Sequence, residues 1–346
     1  MKKSLVATSA ILALGSIALA ACGGSSSKAA DVFIYQFSDT YIGTVRSALK
    51  TDLEGVSITP NFYDAAGVQA TQTQQIETAI SDGSKLLVVN AVEQKAAGLS
   101  IAQKAKAAST PVIFFNREVD DAAVQAYDKA CFVGTDPDQA GYMQGDIIAD
   151  ALIKDGQLNT LWDKNGDGVI KYVMLRADLD NAEANGRTKY SVQEANTKLK
   201  AAGLKELVQL GVDTNCGWDK AKAKEALDSM ITTYGVAGDG IEMVIANNDD
   251  MALGAVQSLA ANGYNDGKSG KNVLVTGVDA TSAAQTAIKA GTMYGSVKQD
   301  AEAMAKCIAA LSANVLDGKD YLAGTTYTWQ ASDVHKIRIP YAKYVG

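Results

Sequence analysis

Short apolar runs of strand length alternate with helical patterns along nearly the whole chain. Ten runs predict strands, at 32–37, 56–63, 85–90, 111–115, 131–133, 170–176, 204–211, 241–246, 272–278 and 294–297. Helical patterns lie between them, such as 68–82, where Ile76, Ala79 and Ile80 share one face. This alternation predicts βαβ units with parallel sheets covered on both faces. Because ten strands are many for one sheet, the 346 residues favour two domains of five or six strands each.

Polar residues follow several of these predicted strands. They are Asp39, Asn90, Asn116, Asn248 and Asp279. Each of them alone is as readily explained by a turn or by the cap of the next helix. Ligands of open α/β sheets bind beyond the carboxyl ends of the strands, so the whole set predicts a polar ligand cleft.

The charge balance and the rare residue types exclude several functions. The chain has 39 acidic and 32 basic residues, a net charge of −7, and no basic run, which argues against a nucleic-acid partner. Its one histidine, His335, cannot build a multi-histidine metal site, and its polar surroundings predict a surface position. Cys131, Cys216 and Cys307 are widely spaced and are interpreted as small buried hydrophobic residues.

The N-terminus has the pattern of an export signal. Residues 1–21 begin with Lys2 and Lys3 and continue with an apolar run, and the four residues 19–22 resemble a bacterial lipobox. We expect a lipid on Cys22 and a flexible tether over 22–30, which would hold an extracytoplasmic protein at the cell membrane. The alternative is an ordinary signal peptide followed by a chance cysteine.

The segment 163–170 has the spacing of a calcium loop. Oxygen-bearing side chains stand at its first, third and fifth positions (Asp163, Asn165 and Asp167), and Gly168 stands at the sixth. An EF-hand is excluded because its twelfth position is Met174 and a strand follows directly. A calcium loop with a ligand from elsewhere and a polar turn remain as alternatives.

Two aromatic residues have the surroundings of a sugar contact. Tyr41 follows Asp39, and Trp218 stands at the start of a predicted helix. Such aromatics usually serve in packing. Aromatic rings also cover the apolar faces of pyranoses, whose hydroxyls then bond to Asp, Asn and Arg.

Together these features resemble the galactose/glucose-binding protein family, the type I periplasmic sugar-binding proteins of ABC transporters. The stretches that carry the resemblance are 112–118, 132–136, 163–168, 244–256 and 276–280. The resemblance spans the mature chain and implies an α/β fold of two doubly wound parallel-sheet domains. Three crossing segments join them, and a sugar cleft lies between. The implied N-terminal lobe is 31–135 plus 299–337, and the C-terminal lobe is 136–298 plus 338–346.

The resemblance also implies the binding residues. The sugar contacts would be Asp39, Tyr41, Asn116, Asn181, Glu183, Arg187, Trp218, Asn248, Asp279 and Gln299. At four of these positions the family usually has another residue: Phe for Tyr41, His for Asn181, Asp for Glu183 and Asn for Gln299. These exchanges affect the identity of the sugar more than the binding of a sugar.

A structural calcium ion is implied as well. Its ligands would be Asp163, Asn165, Asp167, the carbonyl of Val169, and Glu242 from a neighbouring strand. The family has Gln where this chain has Lys171, whose ammonium could instead neutralise the loop.

The expected function is therefore capture of a monosaccharide, glucose or galactose, by closure of a hinge. The receptor would be a monomer that delivers its sugar to an ABC permease, with no enzymatic activity. The alternatives are a sugar sensor that feeds a membrane receptor or kinase, and a carbohydrate-processing enzyme that uses Asp39 and Asp279. The export signal argues against a sugar-responsive repressor of the same fold.

Overall fold

The structure, a computed structural model, describes residues 28–346. The predicted signal peptide, Cys22 and residues 23–27 lie outside this part of the chain. The helices are α1 Thr40–Gly55, α2 Gln69–Ser81, α3 Ala96–Ala107, α4 Asp121–Gln125, α5 Pro137–Leu152, α6 Ala182–Ala201, α7 Lys220–Tyr234, α8 Asp249–Ala261, α9 Ser282–Lys289 and α10 Ala301–Leu316. The strands are β1 Lys28–Ile34, β2 Ile58–Asp64, β3 Leu87–Val89, β4 Val112–Phe115, β5 Ala130–Gly134, β6 Ile153–Lys154, β7 Gln157–Leu158, β8 Lys171–Arg176, β9 Val208–Gln209, β10 Thr214–Asn215, β11 Met243–Ala246, β12 Leu274–Asp279, β13 Gly295–Lys298, β14 Lys336–Arg338 and β15 Ala342–Val345.

The first sheet forms the centre of the N-terminal lobe, called lobe 1, which consists of β1–β5, α1–α4, α10 and β14; the other elements form the C-terminal lobe, called lobe 2. Its strand order is β2-β1-β3-β4-β5-β14, and every neighbouring pair is parallel. Helices α1 and α10 pack on one face, and α2, α3 and α4 pack on the other. The central strands are apolar on both sides because both faces are covered, which explains their unbroken hydrophobic runs.

The second sheet forms the centre of lobe 2. Its main order is β10-β8-β11-β12-β13-β15, with β9 paired to β8 and with β15 antiparallel at the edge. Helices α7, α8 and α9 cover one face, while α5 and α6 pack on the other. The predicted fold class is confirmed: both lobes are α/β, with doubly wound and mainly parallel sheets.

The chain crosses between the lobes in three places. The crossings follow β5 at Thr135, follow β13 at Gln299 and lie between β14 and β15 at 339–341. The Thr135 hydroxyl donates a 2.8 Å hydrogen bond to the Tyr341 hydroxyl. The first and third crossings therefore touch each other.

Several boundaries differ from the sequence prediction. Residues 28–30, predicted as part of a tether, belong to β1 and pair with β2 in a parallel register. In the predicted strand 204–211, only Val208–Gln209 pairs with the sheet. The β6–β7 hairpin was not predicted. These differences involve ends and very short strands, in which neither period 2 nor apolar length gives a signal.

Two predictions about rare residues have opposite outcomes. Cys131, Cys216 and Cys307 are buried free thiols, as predicted. The prediction for His335 is wrong, because its ring is half-buried and stacks on Trp329 with 4.9 Å between the ring centroids.

Candidate functional site between the lobes

A cavity lies between the two lobes, at the carboxyl ends of their parallel strands. Including its open mouth, it contains about 370 Å³ of space that no protein atom fills. It is lined by Tyr35, Asp39, Tyr41, Ile42, Asn116, Arg117, Asn181, Glu183, Arg187, Trp218, Asn248, Asp279 and Gln299. All ten residues predicted as sugar contacts are in this lining. Tyr35, Ile42 and Arg117 are additional.

Lobe 1 presents Asp39 and Asn116 on a preformed frame. Asp39 caps α1 by accepting a 2.8 Å hydrogen bond from the Ile42 amide, and it also accepts one from the Tyr35 hydroxyl at 2.5 Å. Asn116 has a left-handed φ of 60°, and its side-chain oxygen Oδ1 accepts from the Asn90 side chain at 3.2 Å, which leaves its Nδ2 hydrogens to donate. These hydrogens are therefore left for a ligand oxygen.

Lobe 2 presents three of its lining residues from the start of α6. Asn181 caps this helix by accepting a 2.8 Å hydrogen bond from the Ala184 amide, and Glu183 and Arg187 lie on the first two turns. Close packing of α6 on α5 sets its position. A Cβ atom at Gly141 would lie 2.5 Å from the Gly186 carbonyl oxygen, and one at Gly186 would lie 2.4 Å from the Pro137 carbonyl oxygen.

Arg187 connects the cavity to the crossing segments. It is buried, and it donates to the Asn247 carbonyl at 2.8 Å and to Gln299 and Tyr341 at 3.0 Å each. Its guanidinium lies 3.7 Å from the Asp279 carboxylate. Burial acts against the charged form, but Tyr341 and Asp279 outweigh it and raise the pKa of Arg187 above its usual value. A ligand bound to Arg187 would thus touch a side chain that is already tied to two crossings.

Asp279 is held in an unusual backbone conformation. Asp279 and Ala280 have φ angles of 117° and 52°. The buried carboxylate of Asp249 accepts from the Thr281 amide and from the Ser296 hydroxyl, both at 2.6 Å, and the Ser296 oxygen accepts from the Ala280 amide at 3.0 Å. These contacts stabilise the strained turn that brings Asp279 into the cavity. Burial raises the pKa of Asp279 well above its usual range, although Arg187 opposes the shift.

Three buried polar atoms of the lining have no hydrogen-bond partner among the described residues. They are the Tyr41 hydroxyl, Arg187 Nε and Trp218 Nε1. Buried polar groups in proteins are nearly always paired, so each such exception requires an explanation. Four other such atoms, in Arg46, Gln75, Gln144 and His335, lie outside this lining. What distinguishes the three is that they line one cavity, where a ligand with several hydroxyl or other oxygen groups would pair them.

Comparison with known proteins agrees with this geometry. A family model described as "Periplasmic binding protein domain" matches residues 30–320. The chain belongs to the periplasmic binding protein family. Its members are extracytoplasmic binding proteins, and this one is a binding protein and not an enzyme.

Two curated relatives agree with this family assignment. The D-galactose/methyl-galactoside binding periplasmic protein of Haemophilus influenzae is 35% identical over 339 residues, covering 96% of this chain and 95% of the relative. A putative rhizopine-binding protein of Rhizobium meliloti is 28% identical and covers 88% of each chain. The chain is therefore similar over most of its length to a periplasmic galactoside-binding protein and to a rhizopine-binding protein.

Solved structures show the same fold. An ABC transporter solute-binding protein from Bacillus halodurans with bound myo-inositol superposes with a TM-score of 0.72 at 25% identity, covering 93% of this chain and 96% of that one. Another from Clostridium phytofermentans with bound β-D-glucose has a TM-score of 0.71 at 20% identity, covering 92% and 94%. Within residues 28–346 of this binding protein, none of the helices has both the length and the apolar character needed to cross a bilayer.

The acidic loop, residues 163–171, is the second site predicted from the sequence. Its carboxylates accept hydrogen bonds from the loop's own backbone: Asp163 from the Gly166 and Gly168 amides, at 2.9 and 3.0 Å, and Asp167 from the Val169 amide at 2.8 Å. Glu242 accepts from the amides of Lys164 and Lys171, at 2.8 and 3.0 Å. The predicted ligands are therefore close neighbours, but the oxygens of their carboxylates have protein donors.

Lys171 supplies the positive charge of this loop. Its ammonium donates to Asp167 Oδ2 at 2.8 Å and lies 3.6 Å from Asp239. That hydrogen bond is the main reason why the pKa of Asp167 is lowered to about 2. In the part of the chain that the structure describes, no three carboxylate, histidine or cysteine groups converge on a point where they could hold a metal. Calcium binding stays a prediction, and these contacts favour its alternative, a turn closed by Lys171.

Proposed function

We propose that this chain is an extracytoplasmic receptor that captures a hexose, D-galactose or D-glucose, and delivers it to an ABC importer. The family supports the transport role. Similarity to a D-galactose/methyl-galactoside binding protein over 96% of the chain supports the hexose. The additional Tyr35 and Arg117 of the lining do not change this expectation, since both are polar groups suited to hydroxyls.

The observation that carries the proposal is the combination of unpaired donors and aromatic rings in one cavity. Tyr41 and Trp218 come from different lobes and would cover opposite faces of a pyranose ring. Their own polar atoms and Arg187 Nε find no partner within residues 28–346. Asp39, Asn116, Asn248 and Asp279 add planar hydrogen-bonding groups. A ligand that is apolar on its faces and polar around its rim meets both requirements.

Binding would proceed by closure of the hinge. A sugar enters between separated lobes, contacts residues of both, and is enclosed as the lobes come together. Arg187 gives this motion a direct mechanical link, because its guanidinium also bonds to Gln299 and Tyr341 in the crossing segments. The closed form is then the one that a permease recognises.

We also propose that the receptor is a monomer held at the membrane by a lipid on Cys22. The support is the sequence of the export signal, residues 1–22. Mass spectrometry of the N-terminal peptide from the membrane fraction tests it. A mature chain that begins after Cys22 without a lipid would contradict it.

The decisive experiment for the ligand is calorimetric titration of the purified chain with glucose, galactose, xylose, ribose, arabinose and myo-inositol. We expect the tightest binding from galactose or glucose, with one sugar per chain. Tight binding of a pentose without measurable hexose binding would contradict the proposed sugar. The absence of any binding heat with all six ligands would contradict the function. A sensor without a transport role would bind the same sugar but would not restore its uptake to a strain that lacks the receptor.

A further inference from the structure

Glu183 makes contacts that a sugar-reading residue does not need. It belongs to lobe 2, yet both of its carboxylate oxygens accept hydrogen bonds from lobe 1. Oε2 accepts from Gln94 Nε2 at 2.9 Å, and Oε1 accepts from the Glu118 amide at 3.1 Å. The Gln94 carbonyl oxygen in turn accepts from the Ala182 amide at 3.3 Å. Two side chains thus make three hydrogen bonds across the boundary between the lobes.

The two donors of lobe 1 are held in place by other contacts within that lobe. Arg117 donates to the carbonyls of Ala91 and Val92, at 2.8 and 3.0 Å, and so braces the loop that carries Gln94. The Glu118 side chain pairs with Lys336 and Arg338, each at 2.5 Å, which fixes its backbone amide. Lobe 1 therefore holds both hydrogen-bonding groups in position to contact the N-terminus of α6.

The N-terminus of α6 needs hydrogen-bond acceptors from outside the helix. The first amides of a helix have no acceptor within it, and its N-terminus favours a negative charge. Asn181 satisfies the Ala184 amide, and Gln94 satisfies that of Ala182 from the other lobe. When the lobes separate, Gln94, Ala182 and Glu183 must exchange these partners for water.

Gln94 is also distinct from the cavity. Both Gln94 and Glu183 are buried, but only Glu183 is part of the lining. A change at Gln94 therefore acts on the contact between the lobes without removing a group that lines the ligand cavity.

We propose that Gln94 and Glu183 form a latch that stabilises the closed arrangement of the lobes. It raises the affinity for every ligand by a similar factor and does not select among them. The affinity part of this inference rests on the proposed function. The closure part concerns the protein alone.

The first test compares Gln94→Ala with Gln74→Ala, a control at an exposed glutamine of the same lobe. We expect Gln94→Ala to weaken galactose and glucose binding by the same factor, roughly five- to twentyfold. Gln94→Glu, which sets a second carboxylate against Glu183, should weaken binding further. In the Gln94→Ala background, Glu183→Gln should add less than it does alone, because the hydrogen bond between these two side chains is then already absent.

The second test needs no sugar. Dyes on engineered cysteines at exposed Ala107 in lobe 1 and Lys200 in lobe 2 report the distance between the lobes by single-molecule energy transfer. The experiment uses a Cys22→Ser background, in which the remaining thiols of Cys131, Cys216 and Cys307 are buried. We expect a smaller closed fraction for Gln94→Ala than for Gln74→Ala. Equal closed fractions and equal affinities for these two variants would overturn the latch, and so would a loss confined to one sugar. If the native chain binds no sugar, the proposed function fails and the closed fractions still decide the latch.

Discussion

The cleft and the acidic loop are both clusters of Asp and Asn, and the sequence marks both as ligand sites. Their hydrogen bonding differs. In the cleft, Tyr41, Arg187 and Trp218 each have a buried polar atom without a partner. In the loop, Asp163 and Asp167 are satisfied by backbone amides and by Lys171. The comparison teaches that residue spacing identifies where polar groups gather, whereas several unpaired buried atoms around one cavity indicate where a ligand would pair them.

The largest effect on sugar affinity is expected at Asp279. Asp279→Asn keeps the shape but replaces the carboxyl group beside Arg187 with an amide, and a hydrogen bond to a charged group contributes about 1.5–3 kcal/mol. We expect binding weaker by roughly ten- to hundredfold, measured by calorimetry. Asp167→Asn in the acidic loop serves as the control and should leave the affinity within about twofold. Equal affinities for both variants and the native chain would remove Asp279 from the site.

The next effect is expected at Trp218. Trp218→Ala removes a ring from the cavity wall, and we expect binding about tenfold weaker or more. The sugar-induced change in tryptophan fluorescence should also disappear. Trp162→Phe is the control, since that residue packs within the core of lobe 2. If Trp218→Ala keeps the full fluorescence response and affinity, the residue is only structural.

A smaller effect is expected from one hydroxyl. Tyr41→Phe keeps the ring and removes an oxygen that is buried without a partner. If the sugar supplies that partner, affinity falls by roughly three- to tenfold, while the sugar-free protein keeps or gains thermal stability. Calorimetry and thermal unfolding measure the two quantities. A lower melting temperature with unchanged affinity would show that the hydroxyl serves the fold.

The smallest change concerns the acidic loop and leaves sugar affinity untouched. The predicted calcium ion would make EDTA lower the melting midpoint of the native chain, whereas its alternative, a turn in which Lys171 neutralises Asp167, leaves the midpoint unmoved by EDTA or calcium. Lys171→Gln removes that cation, and calcium should then raise the midpoint by about 3 °C or more. Lys205→Gln is a matched control, because Lys205 donates only to the Asp167 carbonyl. Calcium stabilisation of the native chain that is lost in Asp167→Ala would instead establish the calcium site.

Most of the fold and the cleft residues could be predicted, for identifiable reasons. Parallel strands covered on both faces have long apolar runs, and the polar residues after them meet where the strands end, as Asn116 and Asp279 do. The presence of Asn181, Glu183 and Arg187 in the cavity lining follows only from the family resemblance, since no local pattern singles out residues within a polar helix. The role of these residues in binding stays a prediction.

Other features had no signal in the sequence. Gln94 is one polar residue in a loop. Its partners Ala182 and Glu183 lie 88 and 89 positions further along the chain, in the other lobe. The two-residue strands β6, β7 and β10 are too short to show a period. The sequence shows Lys171 where the family has Gln, but only its position beside Asp167 in the structure shows which charge it balances.

The three crossings have a consequence for how this molecule can move. A single connecting segment would let one lobe swivel freely on the other. Here three segments connect the lobes, at Thr135, Gln299 and 339–341, and hydrogen bonds of Tyr341 and Arg187 join them. We expect this connection to restrict the lobes to rotation about essentially one axis. Open and closed forms then lie on one angular coordinate, and a single distance between the lobes is enough to follow the whole motion.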